Sequence, residues 1–237
     1  MTQTKMYERI IDCAANVGVK HIIYSSVVEC DQDKDHGIPH WDCARHTEGY
    51  LAIRQDETKN AFTYHILRYA HVNDNLLPGN HHAPSEDGWI AYPYHPSIRM
   101  HTASARDGAR VACKLFCQPN SLKNGAVMNM ITDFRNPHEM AQFITLATGK
   151  PVQAFKGPAT LLVAGHLLGY EKKSIVTMGE YIEKKWTKDY VKSLKFKMED
   201  FLREEIEREG EPLETLEAFV NRSFGGNTSA EQPVSST

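Results

Sequence analysis

The chain has 237 residues, a formal net charge of −3, 24% charged residues and 41% hydrophobic residues. This length fits one large domain, or a domain with a helical appendage, and it suffices to bury a core. The small negative charge argues against nucleic acid or an anionic membrane surface as a partner. No apolar run reaches the roughly 18 residues that a membrane span needs. Five scattered cysteines without a disulfide spacing predict reduced thiols and a cytoplasmic protein.

The first structural unit is a helix followed by a buried strand. Residues 6–17 carry apolar side chains at helical spacing, and Gly18 suits the left-handed position that ends a helix. Residues 21–24, His-Ile-Ile-Tyr, form a continuous apolar run that is typical of a parallel strand covered on both faces. Ser25 and Ser26 follow this strand directly, at the end where open α/β sheets bind their ligands.

Helices and apolar strands alternate along the next hundred residues. The pattern predicts helices over 41–54, 107–116 and 137–148, and strands over 62–68, 126–131 and 151–155. The helix at 137–148 has the clearest start, because Asn136 suits the cap, Pro137 the first position and Glu139 the third. Residues 69–97, rich in Pro, Gly, His and Asn, form an irregular stretch of the kind that often carries a site.

This alternation indicates an open parallel α/β sheet over residues 1–157. Beyond Gly157 the composition changes to an apolar helix over 159–168 and then to densely charged helical sequence, so residues 158–224 are predicted to be a helical C-terminal region. Residues 225–237 are rich in Ser, Thr, Gly and Pro and are predicted to be a disordered tail.

Three stretches of the sequence resemble one known family. Residues 10–26 (IIDCAANVGVKHIIYSS) are very close to its fourth-strand unit, and residues 67–77 (LRYAHVNDNLL) resemble its Leu-Arg-Pro-Gly-x-Phe-x-x-Asn stretch. Residues 106–119, with two later fragments, resemble its C-terminal subdomain. The chain is therefore similar to the NmrA-like family, a branch of the atypical short-chain dehydrogenases, over about residues 5–156.

The resemblance implies a Rossmann domain that binds NADP or NAD. Some family members reduce small molecules, often in natural-product pathways, whereas others bind the dinucleotide without turnover and act as redox-sensing regulators. The printed sequence contains no counterpart of the family's first three strands and no glycine-rich phosphate loop. We therefore expect a partial Rossmann-like parallel sheet in which residues 21–24 form an uncovered edge. Such an edge predicts either that the chain is an incomplete version of a longer protein or that it covers the edge by self-association.

The resemblance also suggests the residues of a cofactor site, namely Ser25, Ser26, Arg68 and Asn75. The two hydroxyls would orient the nicotinamide or the substrate, and Asn75 would line the pocket. Each residue has a simpler reading: the serines can cap the strand, Arg68 can be a structural ion-pair partner, and Asn75 can be a turn residue.

The catalytic position differs from the family pattern. The family often has Lys four residues before the Glu of a Lys-x-x-x-Glu helix, but here Ala44 precedes Glu48 at that spacing, with Arg45 beside it. Arg45 is the predicted catalytic residue, since a guanidinium polarises a carbonyl although it shuttles protons poorly.

Three functions follow, in this order: NAD(P)H-dependent reduction of a small organic molecule, a non-catalytic regulator, and a cofactor-independent isomerase or cyclase. The twelve histidines match no standard zinc spacing, so no metal site is predicted. Cys113 and Cys117, four residues apart, are expected to lie on a packed helix face. The Tyr181-x-x-x-Lys185 dyad is interpreted as a chance match.

Overall fold

The computed structural model describes residues 2–28, 30, 37–80, 82–157, 172–185 and 197–225. The predicted helix at 159–168 and almost all of the predicted tail lie outside these residues. The described helices are α1 (Gln3–Asn16), α2 (Pro39–Glu57), α3 (Ala105–Cys117), α4 (Pro137–Thr148), α5 (Lys172–Lys185), α6 (Met198–Glu209) and α7 (Leu216–Phe224), with a 3₁₀ helix at Asn73–Leu76. The strands are β1 (His21–Val27), β2 (Thr63–Tyr69), β3 (His71–Val72), β4 (Trp89–Tyr92), β5 (Met100–Ala103), β6 (Val127–Met130), β7 (Asp133–Arg135) and β8 (Gln153–Lys156).

The central sheet is parallel and has the order β1-β2-β6. His21 lies opposite Thr63 at the start of the β1–β2 ladder, and Ile66 lies opposite Val127 where β6 joins. This arrangement confirms the predicted α/β class with a parallel sheet. Among the described residues, no strand pairs with the outer edge of β1.

Both faces of this sheet are covered by helices, as its apolar strands require. On one face, Ile11 of α1 and Leu51 of α2 share a buried cluster with Ile66 of β2. On the other face, Leu115 of α3 and Leu202 of α6 share a cluster that reaches the sheet through β2 and β6. The buried strands are thus the middle layer of a three-layer arrangement.

Helix α4 has the boundaries that its sequence predicts. The Asn136 side chain accepts from the Glu139 N–H (2.9 Å), and the Glu139 carboxylate accepts from the Asn136 N–H (2.8 Å). Pro137 occupies the first turn, and Gly149 ends the helix with a φ of 69°. Local capping chemistry alone is sufficient to define this element.

Helix α1 differs from its sequence pattern. Met6, Ile10 and Val17, which share the predicted apolar face, are 39%, 55% and 79% exposed, and Ile11 is the buried residue. On a different side of the helix, Asp12 accepts a hydrogen bond from the Tyr50 hydroxyl of α2 (2.8 Å). Apolar residues therefore cover more of the surface of α1 than the part that packs on α2 and the sheet.

The region that looked irregular in sequence, residues 69–97, contributes strands β3 and β4 to two small sheets. Strand β5 pairs in parallel with β3 and antiparallel with β7, and β4 pairs in parallel with β8. Strand β3 has only two residues, which is too short for an alternation pattern to be visible. The largest buried cluster lies beneath these strands and includes Met140 of α4 and Phe219 of α7.

A buried carboxylate anchors the segment before α7. Glu214 is 7% exposed, accepts from the Ser104 hydroxyl (2.6 Å), and pairs with Arg222 (Nε to Oε1, 2.8 Å). Its backbone N–H donates to Asp107 (2.6 Å) at the start of α3. This segment is therefore tied to α3 by polar contacts as well as by apolar packing.

One expectation on α3 is wrong. Cys113 and Cys117 are both exposed, because the face of α3 that packs on the sheet is formed by Val111 and Leu115 instead. Residues four positions apart do lie on the same face of a helix, but this face of α3 is exposed to solvent instead of packed.

Candidate functional site

The carboxyl ends of the three parallel strands meet at one edge of the central sheet. Ser26 of β1 lies opposite Arg68 of β2, and Arg68 lies opposite Asn129 of β6, so three polar residues are in register across the sheet. Register partners in a sheet project to the same face. Asn129, which is 8% exposed, was not predicted, and its signal was a polar residue inside the apolar strand Val-Met-Asn-Met.

Glu48 of α2 connects two of these residues. Arg68 donates from Nε to Glu48 Oε1 (3.0 Å) and from Nη2 to Oε2 (2.6 Å), which is a two-point pair. The Ser26 hydroxyl donates to the same Oε1 (2.5 Å). The side chains of Arg68 and Glu48 are only 12% and 9% exposed, so the pair is shielded from solvent. Arg68 therefore forms an internal ion pair. This is the structural role that the sequence analysis gave as the alternative to cofactor binding.

The expectation that Ser25 and Ser26 follow the first strand is wrong, because β1 extends to Val27 and contains both serines, on opposite faces. Ser26 is 3% exposed and belongs to the Glu48 network, whereas Ser25 is exposed. Because side chains alternate along a strand, only one of two neighbouring serines can contact Glu48. Ser25 is accordingly the hydroxyl that an external ligand can reach.

Position 44 carries no group for proton transfer. Ala44 is buried on α2, four residues before Glu48. Arg45 lies one residue further on, about 100° around the helix, is half-buried, and places Nη2 3.4 Å from His46 Nε2. The predicted catalytic role of Arg45 is not tested by this geometry and stays a prediction.

Asn75 lies beyond the end of β2, in the 3₁₀ helix at Asn73–Leu76. Its side chain is half-buried, and its backbone carbonyl accepts from the His82 N–H (2.9 Å). The His82 ring lies 5.1 Å from the ring of His71, which is the first residue of β3. Asn75 is thus grouped with two imidazoles that the sequence did not link to it.

The Cys30 thiol beside Ser26 and Glu48 is not expected to be reactive. Cys30 lies 3.6 Å from the Ser26 hydroxyl and is almost fully buried. Burial raises the pKa of the Cys30 thiol to about 11, so it stays protonated at neutral pH. A thiolate nucleophile at this position is therefore not expected.

These residues fit one end of a dinucleotide. The exposed Ser25 hydroxyl and the half-buried Asn75 amide offer polar atoms at the carboxyl edge of the sheet, where a nicotinamide and its ribose would need them. The Arg68 guanidinium pairs with Glu48, and the sequence has no glycine-rich loop for the pyrophosphate. The fit is to the nicotinamide end of NAD(P).

In the described part of the chain, no three His, Cys, Asp or Glu side chains are grouped so that they could hold a metal ion. None of its helices is both long and apolar enough to span a membrane.

The NmrA-like family signature matches residues 2–219 of the chain. Solved structures share the fold. Triphenylmethane reductase from Citrobacter sp., complexed with NADP(H), has 16% identity and a TM-score of 0.65, with 94% of this chain and 73% of that chain covered. An NADPH-dependent quinone oxidoreductase from Escherichia coli has 20% identity and a TM-score of 0.64, with 91% and 72% covered.

A third similar structure is that of NmrA, a negative transcriptional regulator, in complex with NADP. It has 15% identity and a TM-score of 0.61, with 94% of this chain and 70% of that chain covered. No curated protein matches the chain significantly. At these identities the structures show a shared fold, in which both reductases and a regulator occur.

Proposed function

The chain belongs to the NmrA-like family, and from this membership we propose that it is an oxidoreductase that uses NAD(P)H to reduce a small organic molecule, in the manner of natural-product reductases. The observation that carries the proposal is the placement of Ser25 and Asn75. Ser25 lies in the carboxyl-terminal half of β1, and Asn75 follows β2 in the 3₁₀ helix, so both belong to the side of the sheet where α/β folds bind ligands.

Ser25 and Asn75 would hold the nicotinamide end of the cofactor. A hydroxyl and a carboxamide suit the nicotinamide amide and the ribose hydroxyls, because each offers both a donor and an acceptor. When bound, the dinucleotide supplies a hydride. Ser26, Glu48 and Arg68 act as the rigid support behind this edge, since their hydrogen bonds are made to one another.

Arg45 is the proposed electrophilic group. Its guanidinium has several N–H donors, which suit a developing oxyanion on the substrate. Arg45 would contact the substrate from its own position on α2, one residue after Ala44, where the family often has lysine.

A non-catalytic regulator is the second candidate, and Ala44 is the observation that favours it. An alanine where the family often has lysine removes the proton donor without disturbing the fold, because Ala44 packs in the interior. Such a protein would bind the dinucleotide and not consume it.

The test is a fluorescence titration of NADPH with the purified chain, followed by NADPH consumption with a panel of quinones, ketones and cationic dyes. We expect NADPH binding and consumption with at least one acceptor. Binding without consumption would support the regulator. No binding at millimolar NADPH would overturn both proposals and leave a cofactor-independent isomerase or cyclase.

Asn75→Ala and Ser25→Ala should each weaken NADPH binding about tenfold, which corresponds to the loss of one hydrogen bond of about 1.4 kcal/mol. Asn221→Ala is the matched control, since Asn221 is an exposed asparagine on α7. Equal effects in all three variants would show that neither Ser25 nor Asn75 contacts the cofactor.

A further inference from the structure

We propose that Cys113 and Cys117 on helix α3 form a binding site for a soft monovalent metal ion, of which copper(I) is the best match. The proposal does not depend on the proposed oxidoreductase function, because it concerns a different part of the molecule. It rests on two thiols that are four residues apart in the sequence and that the fold exposes on the same side of one helix.

Both thiols are accessible on α3. The helix packs on the sheet through Val111 and Leu115, which are fully buried, whereas Cys113 and Cys117 are exposed and are free cysteines. Side chains at positions i and i+4 of a helix are neighbours, with about 5–6 Å between their Cβ atoms. Each thiol can therefore contact the same small ligand.

The separation along the helix favours a bridging ion over a disulfide bond. A disulfide needs Cβ atoms about 3.5–4.5 Å apart, which is closer than a regular helical turn brings these two residues. A metal–thiolate bond is about 2.3 Å long, so an ion between two thiolates holds the sulfur atoms about 4.6 Å apart. Rotation about χ1 of each cysteine allows this sulfur–sulfur distance without a change in the helix backbone.

The number of ligands selects the kind of ion. Within the described residues, no third His, Cys, Asp or Glu side chain joins these two thiols in a group that could hold a metal ion. Zinc sites require three or four protein ligands, whereas copper(I) is a soft ion that two thiolates in line can satisfy. The zinc spacings that the sequence lacks therefore do not bear on this site.

Binding exchanges protons for the ion and transfers no electron. Each thiol loses one proton, copper(I) forms two Cu–S bonds, and the resulting bis-thiolate complex carries one negative charge. The complex forms on the solvent side of α3, so its charge remains hydrated and has no large desolvation cost.

This site and the candidate cofactor site lie at opposite edges of the sheet. Phe116, which precedes Cys117, has its ring 6.1 Å from that of His21, the first residue of β1. This end of α3 is therefore at the amino edge of the parallel strands, whereas a dinucleotide would bind at the carboxyl edge. Copper(I) and NADPH should therefore bind independently.

The experiment is a titration of copper(I) bicinchoninate with the purified chain under anaerobic conditions, with ascorbate to keep the metal reduced. Loss of the coloured bicinchoninate complex measures the transfer of copper(I) to the protein. We expect one ion per chain, with two sulfur neighbours per copper in X-ray absorption spectra. Cys113→Ser and Cys117→Ser should each weaken binding by about a hundredfold or more, because the second thiolate binds within the same molecule.

Three further variants separate a paired site from general thiol binding. Cys13→Ser removes an exposed cysteine of α1 and should leave the affinity unchanged. Two exposed alanines of α3 allow the thiol lost in Cys117→Ser to be replaced. Added to that variant, Ala109→Cys should restore binding, because it lies four residues from Cys113. Ala105→Cys should not restore it, because eight residues separate the thiols by about 12 Å along the helix.

No transfer of copper(I) to the unmodified chain would overturn the inference. An equal loss of affinity in Cys13→Ser, or equal binding by the Ala109→Cys and Ala105→Cys variants, would do so as well. Zinc bound as tightly as copper(I) would contradict a site with two ligands. NADPH binding, measured with and without copper(I), tests the proposed function separately.

Discussion

Two buried carboxylates form similar networks, each with an arginine and a serine, in different regions of the molecule. Glu48, at the candidate site, is paired with Arg68 and Ser26. Glu214, before the last described helix, is paired with Arg222 and Ser104. Each combines a guanidinium and a serine hydroxyl, although one lies at the carboxyl edge of the central sheet and the other at the start of α3.

The difference between the two is the exposure of the arginine. Arg68 is 12% exposed, whereas Arg222 is 51% exposed. Water can replace an exposed guanidinium but not a buried one, so the Glu48 pair is more sensitive to the loss of one partner. A buried polar network beside a site is therefore not evidence of catalysis, because the same chemistry occurs where it only anchors the chain.

The largest expected effect is the loss of stability when the Glu48 pair is broken on one side. Arg68→Ala should lower the free energy of unfolding by about 3–5 kcal/mol, because Glu48 is left buried without its cation. Urea denaturation followed by circular dichroism measures this.

The matched control is the double variant Glu48→Ala with Arg68→Ala, which removes both charges. It should cost less than the sum of the two single variants, since neither charge is left unpaired. Additive losses would show that the two side chains do not interact.

The corresponding change in the second network is smaller. Arg222→Ala should lower the free energy of unfolding by about 1–2 kcal/mol, because Glu214 keeps the Ser104 hydroxyl and gains access to water. Arg208→Ala, an arginine that is 71% exposed on α6, is the control and should change stability by less than about 0.5 kcal/mol. An effect of Arg222→Ala as large as that of Arg68→Ala would contradict the role assigned to exposure.

A buried histidine of β5 should make the stability of the chain depend on pH. Burial, with a smaller contribution from Lys197, lowers the pKa of His101 to about 4. The unfolded chain binds this proton near pH 6.5, so the stabilisation is complete above that pH and is lost as the pH falls from about 6.5 towards 4.

Thermal denaturation of the unmodified chain should therefore show a falling midpoint over this range. His101→Phe retains the aromatic contact with Phe134 and should flatten part of the decline. A midpoint that stays constant from pH 6.5 to 4.5 would contradict the depressed pKa.

The smallest expected effect concerns self-association, which we propose occurs through the outer edge of β1. Among the described residues this edge has no partner strand, and Ile10 of α1 and Val17, which follows the helix, expose apolar surface. Sedimentation should show a concentration-dependent dimer, and Ile10→Lys should weaken it. Gln142→Lys, at an exposed position on α4, is the control because it adds the same single positive charge. A monomer at all concentrations would exclude this mode of association.

Much of the fold was predictable from the sequence, for local reasons. The capping box around Asn136 and the apolar strands of the parallel sheet depend on neighbouring residues alone. The small sheets were not predictable, because β3 has two residues and its partner β5 is about 30 positions away. The exposed thiols of α3 were missed because spacing shows that two residues share a face but not which way that face points.

The candidate site was predictable only in part. The family resemblance suggested polar residues near the strand ends, and their role as a cofactor site stays a prediction. The contact of Ser26 with Glu48 could not be predicted, because Glu48 lies on another element. His82 and Asn129 could not be linked to the site from sequence, since long-range pairing and register bring them there.

The most direct test of the central claim, that the carboxyl edge of the parallel sheet binds a nicotinamide dinucleotide, is the NADPH titration of the unmodified chain beside Asn75→Ala. The account predicts saturable binding that the substitution weakens about tenfold while the unfolding midpoint is unchanged. Absence of binding at millimolar NADPH by a folded chain would contradict it.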